Sequence, residues 1–91
     1  MDINYDKIKE LYGIDYLYLI KDNIDDIKLN IDYLYKLGFN DVTDIFERFT
    51  YIFIKDNNEF RLMFNKLITK LGGNYVDIIE NDLGVLEELE W

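Results

Sequence analysis

The chain has 91 residues, with 10 Lys+Arg against 19 Asp+Glu, a formal net charge of −9. Ala, Ser, Pro, Cys, His and Gln are all missing, which excludes serine, cysteine and histidine nucleophile or base chemistry, disulfides, zinc fingers and every His-containing metal site. Apolar residues make up 49%, enough for a core, so residues 1–91 are read as one small helical domain.

Residues 4–12 place Tyr5, Ile8, Leu11 and Tyr12 on one helical face, and Gly13 stops the run. Asp15 is placed to cap a short helix over 16–21, with Ile14 and Leu19 as its hydrophobic staple. From Asn23 to Leu37, Ile24, Ile27, Ile31 and Leu34 recur at steps of three and four, and Leu37-Gly38 ends the helix. Asn40 or Asp41 can cap the next helix, which carries Val42, Ile45, Phe46 and Phe49.

Residues 49–54 (Phe-Thr-Tyr-Ile-Phe-Ile) have the aromatic and β-branched composition of a strand, but no other segment alternates to pair with one. They are read as buried helix continuation or an irregular apolar connector. The clearest helix follows. Asp56 and Glu59 form a capping box, Phe60, Met63, Phe64, Leu67, Ile68 and Leu71 form the stripe, and Gly72-Gly73 supplies the stop. Asn74 can cap a helix carrying Val76, Ile78 and Ile79, and Val85, Leu86 and Leu89 predict a last turn or two beyond Gly84.

The fold class is therefore all-α: a compact stack of five to seven helices in helical hairpins. The expected core is Ile8, Leu11, Ile27, Ile31, Leu34, Leu37, Ile45, Phe46, Phe49, Phe60, Met63, Phe64, Leu67, Leu71, Ile78 and Ile79.

The two glycine turns are alike in sequence. Residues 37–47 align with 71–80 with one deletion, the glycines lie 72 − 38 = 34 residues apart, and a degenerate third copy can start at Leu11-Tyr12-Gly13-Ile14. This layout, and the segment from Ile31 to Ile45 in particular, resembles the mitochondrial transcription termination factor (mTERF) helical repeat. The resemblance covers about half the chain and implies stacked helical hairpins, possibly degenerate repeats. Family members that hold nucleic acid use a basic concave face. This chain is acidic and also lacks the proline that the family pattern usually carries, so the resemblance implies shape rather than DNA binding.

Charge is unevenly placed. Residues 1–70 hold 13 acids and 10 bases, 10 − 13 = −3, whereas residues 71–91 hold six acids and no base. Phosphate binding needs clustered Lys and Arg, which argues against direct nucleic-acid binding. The expected partner is a protein with a basic surface, such as a nucleic-acid-binding enzyme. The expected partner-binding residues are Asp77, Glu80, Asp82, Glu87, Glu88 and Glu90, with Tyr33 or Tyr35 as an aromatic anchor. In the pairs Tyr16/Tyr18 and Tyr33/Tyr35, one ring of each should face solvent. Small acidic phage-encoded inhibitors, anti-CRISPR proteins among them, are similar to this chain in size and charge, and that likeness implies inhibition by occluding a basic groove. The alternative is an mTERF-like module that touches nucleic acid, or acts as a regulatory scaffold, through a basic stripe drawn from Lys7, Lys9, Lys21, Lys28, Lys36, Lys55, Arg61, Lys66 and Lys70.

No catalytic constellation is visible, so a non-enzymatic protein without cofactor or metal is expected. Asp22-Asn23-Ile24-Asp25-Asp26 lacks the alternation and glycine of a Ca²⁺ loop and is read as helix capping. The glycines make no phosphate loop. The N-terminus lacks the basic-then-apolar pattern of a signal peptide, no apolar run reaches about 18 residues, and cysteine is absent, which together suit a cytoplasmic protein. The AT-rich codon bias behind Ile, Asn, Lys, Tyr and Asp points to a low-GC bacterium, or a phage or plasmid of one, as the host.

Overall fold

A computed structural model describes residues 3–88. It contains α1 (Tyr5–Tyr12), α2 (Ile14–Asp22), α3 (Ile24–Leu37), α4 (Val42–Arg48), α5 (Thr50–Phe53), α6 (Asn57–Leu71) and α7 (Tyr75–Asn81), followed by a 3₁₀ helix, Leu83–Glu88. Among the described residues there is no strand, and the fold is an all-α stack. No helix is long and apolar enough to cross a membrane.

The helix boundaries follow local chemistry. Asn4 caps α1 by accepting from the Lys7 N–H at 3.1 Å, and Asp56 caps α6 by accepting from the Asn58 and Glu59 N–H groups at 2.9 and 3.3 Å. α3 ends in a Schellman motif: Gly38 N–H donates to Tyr35 O at 3.0 Å and Phe39 N–H to Leu34 O at 3.2 Å. Gly38 sits at φ 101°, ψ 10°, where a side chain would be strained. Gly72 ends α6 differently, at φ 85°, ψ −165°, and Gly13 shares that geometry at φ 94°, ψ 168°. The two turns that look alike in sequence thus have different backbones: α4 starts four residues after Gly38, whereas α7 starts three residues after Gly72.

Asp15 does not cap α2. The helix begins two residues earlier than expected, at Ile14 with Gly13 at the cap, and Ile14 and Leu19, expected to form a staple, are both exposed.

α3 is the central element. It packs on α2, α4, α5 and α6, while α1 lies on α2 and α7 on α6. The aromatic spine is Phe46, Phe53, Phe60 and Phe64, all with at most 1% exposure, with ring centroids 5.2 Å apart for Phe46–Phe53, 5.1 Å for Phe53–Phe60 and 4.8 Å for Phe60–Phe64. Burial of each such ring stabilises the fold by about 1.5–3 kcal/mol.

Segment 49–54 is neither strand nor straight continuation. Phe49 (φ −127°, ψ 40°) turns the chain out of α4, and one helical turn, α5, follows. The Thr50 hydroxyl donates to Phe46 O at 2.6 Å, covering a carbonyl at the break. Ile52 and Phe53 are fully buried, which explains the strand-like composition: α5 lies inside the core. Leu11 and Ile78, expected inside, are 54% and 37% exposed, because each lies at the edge of a stripe in a short helix whose buried side is carried by Ile8 and Ile79. Ile20, Phe39, Val42, Leu83 and Leu86 take core places instead.

One polar side chain ties the core together. Asn30 is fully buried, and its Nδ2 donates to Phe53 O and to Lys55 O, both at 2.9 Å, while its Oδ1 accepts from Asn57 Nδ2 at 2.9 Å. Nearby, Asp26 Oδ1 accepts from the Asn57 N–H at 3.2 Å. Two α3 side chains thereby satisfy the end of α5, the connector and the start of α6.

A tyrosine cluster closes the opposite side. Tyr12 and Tyr16 stack at 4.9 Å, and the Tyr12 hydroxyl donates to Glu47 O at 2.6 Å. Burial, then the neighbouring phenols of Tyr12 and Tyr51, push the Tyr16 phenol above its ordinary value. Beside them Lys7 pairs with Glu47 at 3.0 Å.

Asn30→Ala removes three hydrogen bonds and strands two carbonyls; urea unfolding should show a loss of about 2–3 kcal/mol with an unchanged m-value. The raised Tyr16 value means that the folded state keeps its phenolic proton longer than the unfolded chain does. That stability is present below the ordinary tyrosine value and is lost as pH rises through the raised native value. The urea midpoint should therefore fall at alkaline pH, and less steeply in Tyr16→Phe.

Candidate interaction surface

The C-terminal acids ride on a firmly docked element. α7 is anchored by Ile79, fully buried, and by the Tyr75 hydroxyl, which donates to Leu37 O at 3.0 Å. The Tyr75 ring lies 6.2 Å from Phe39. A methyl group added at Gly38 would stand 4.0 Å from Val76 Cγ2, so α7 rests directly on the α3 turn.

Glu80 supplies the most informative contact of the set. Its Oε1 accepts from Asn40 N–H and Asn40 Nδ2, both at 3.2 Å, and its Oε2 accepts from Asp41 N–H at 3.0 Å. The sequence points to Asn40 or Asp41 as the cap of α4, yet neither side chain caps it; a carboxylate from α7, 40 residues away, takes the backbone groups at that entry. A negative charge there also suits the helix dipole. Glu80 is thus half-buried and structural, with its oxygens occupied.

The remaining described acids are available. Asp77 is exposed on α7, three residues before Glu80 and so adjacent to it on the helix surface. Asp82 is exposed and accepts from Gly84 N–H at 3.1 Å, which starts the 3₁₀ helix. Glu87 is exposed. Among the described residues there are two ion pairs, Lys7–Glu47 at 3.0 Å and Arg48–Asp44 at 3.6 Å, and neither uses an acid from α7 onward. Asp77, Asp82 and Glu87 therefore make no ion pair among the described residues. Asp41, exposed beside Glu80, extends the same anionic face from α4; its position at a helix start made it look like a cap alone. The Glu88 side chain and Glu90 lie outside the described residues, as does Trp91.

The tyrosines divide as the helical spacing predicts: Tyr18 and Tyr35 are 60% and 43% exposed, while Tyr16 and Tyr33 are half-buried. Tyr33 does not join the acids. Its hydroxyl donates to Asn65 Oδ1 at 2.8 Å, its ring meets Phe60 edge-on at 6.3 Å, and the Arg61 guanidinium lies 5.1 Å over its face. Burial raises its phenol above the ordinary value, with Arg61 pulling the other way and Tyr75 adding to the rise. The Tyr35 side chain is 43% exposed and has no hydrogen-bond or ring partner among the described residues.

No three acids among the described residues converge as a metal site would require. Comparison of the chain with protein-family models, curated proteins and solved structures found no match.

Glu80→Ala should lower stability by about 1 kcal/mol through loss of the α4 cap, whereas Asp77→Asn and Glu87→Gln should stay within about 0.5 kcal/mol. Urea unfolding of the three variants measures the difference between a structural acid and a displayed one.

Proposed function

We propose that this is a non-enzymatic binding protein that occludes a basic, nucleic-acid-binding surface of a partner protein, in the manner of phage anti-defence inhibitors. The observation that carries the reading is the set Asp77, Asp82 and Glu87 on α7 and the 3₁₀ helix, exposed and without a basic partner. Charges on helix-borne side chains hold fixed spacings, as the phosphates of a nucleic acid do, and a cationic groove attracts either. Asp41 and the charge of Glu80 widen the field, and Tyr35 offers area with one polar tip.

Electrostatic attraction of this kind acts mainly on the association rate and is screened beyond about 8 Å at physiological salt. Affinity capture from a low-GC bacterial lysate, with wild type beside the Asp77→Asn/Asp82→Asn/Glu87→Gln variant, identifies the partner. Its association rate with wild type should fall about tenfold or more from low to high salt, and the triple variant should start slow and lose the salt dependence. A rate indifferent to ionic strength overturns the reading. A low-salt gel shift with mixed DNA and RNA tests the mTERF-type alternative, for which a shifted band is required.

A further inference from the structure

The α3–α6 groove is opposite in character to the acidic face. It holds a cavity of about 100 Å³ lined by Leu29, Asp32, Tyr33 and Lys36 of α3 and by Asn57 and Arg61 of α6. The α3 residues fall at i, i+3, i+4 and i+7, a single helical face, and those of α6 are one turn apart. Among the described residues neither Arg61 nor Lys36 has a carboxylate within ion-pair distance, although the chain carries almost twice as many acids as bases. The Arg61 guanidinium is held over the Tyr33 ring, and that ring is itself fixed by Asn65 and Phe60. A planar donor group positioned in this way is ready for a carboxylate with little further ordering.

The groove also offers acceptors. The Asp32 carboxylate makes no ion pair and no hydrogen bond among the described residues. Asn57 donates its Nδ2 to Asn30, and its Oδ1 has no hydrogen-bond partner among the described residues. Leu29, 52% exposed, forms an apolar wall. Two cations against one acid leave the groove net positive, and the two acceptors call for N–H donors beside the anion. A bare oxyanion uses the cations and is repelled by Asp32. A peptide carrying a carboxylate side chain uses both, with its backbone N–H groups on Asp32 and Asn57.

We propose that the α3–α6 groove is a second recognition site, which takes an acidic peptide segment by seating one carboxylate between Arg61 and Lys36. The site is separate from the acidic face and does not depend on the function proposed for it. The test uses amide chemical-shift titration of the whole chain with three probes: a capped Gly-Glu-Gly peptide, acetate and inorganic phosphate. The peptide should give saturable shifts confined to residues 29–36 and 57–61, and should bind more tightly than acetate or phosphate. Arg61→Gln and Lys36→Gln should each weaken it about tenfold, as loss of a charged hydrogen bond does. The Lys36 side chain is exposed and makes no ion pair or hydrogen bond among the described residues, so its variant reports on binding even if loss of the Arg61–Tyr33 stack disturbs packing. Asp32→Asn separates the ligand classes: it should weaken the peptide while strengthening acetate and phosphate. Absence of saturable shifts overturns the proposal, and so does phosphate binding as tightly as peptide with Asp32→Asn strengthening both, which marks a plain anion site. Asp77→Asn/Glu87→Gln should leave the titration unchanged.

Discussion

The structure turns on the buried amide of Asn30. Without cysteine the chain has no disulfide to hold it, so packing and hydrogen bonding carry the fold. Packing alone does not say where a helix should begin. Asn30 does, because its three hydrogen bonds fix the chain between Phe53 and Asn57 against the middle of α3. The register of α6 on α3 is thus specified by the polar contacts of the buried Asn30 and stabilised by Phe60 and Phe64. The aromatic spine, the α3–α6 groove and the seat of α7 all inherit that register.

Much of the fold was legible in the sequence because helix signals are local. The 3.6-residue spacing around Phe60–Leu71, the Asp56 cap and the Gly38 stop all act within one or two turns, and the structure places helix ends accordingly. What could not be read from spacing involves partners distant in the chain. Glu80 capping the entry of α4 and Asp26 satisfying the start of α6 are contacts over 40 and 31 residues, and no periodicity announces them. The reading of residues 49–54 as buried helix continuation or an irregular connector fits the single helical turn α5, and their strand-like composition reflects Phe49, Ile52 and Phe53 in the core while Tyr51 stays 46% exposed.

The candidate surface was half legible for the same reason. The sequence shows where the acids are and that no bases accompany them. It cannot show that Glu80 is tied to backbone while Asp77 is not, nor that Tyr33 turns toward Arg61 and away from the acids. Conversely, the two cations of the groove lie 25 positions apart and look in sequence like scattered surface charges; only the packing of α3 on α6 brings them together. The groove between the two longest helices is thus lined by two cations and one acid despite the strong negative net charge, while Asp77, Asp82 and Glu87 are exposed on α7, after it and on the 3₁₀ helix.

The order of packing has a consequence for how the chain reaches this state. α1 rests on α2, α2 on α3, α3 on α4, α4 on α5, α6 on α7 and α7 on the 3₁₀ helix, so most contacts join neighbours in sequence. Docking of α6 on α3 is the main event that must close a long loop, and the entropy of closure grows only slowly with its length. A topology this local belongs with the rapid folders, on the scale of about microseconds to milliseconds. The chain has little time to expose its aromatic segment 49–54, the stretch most able to pair with copies of itself as a strand, before α3 and α6 enclose it.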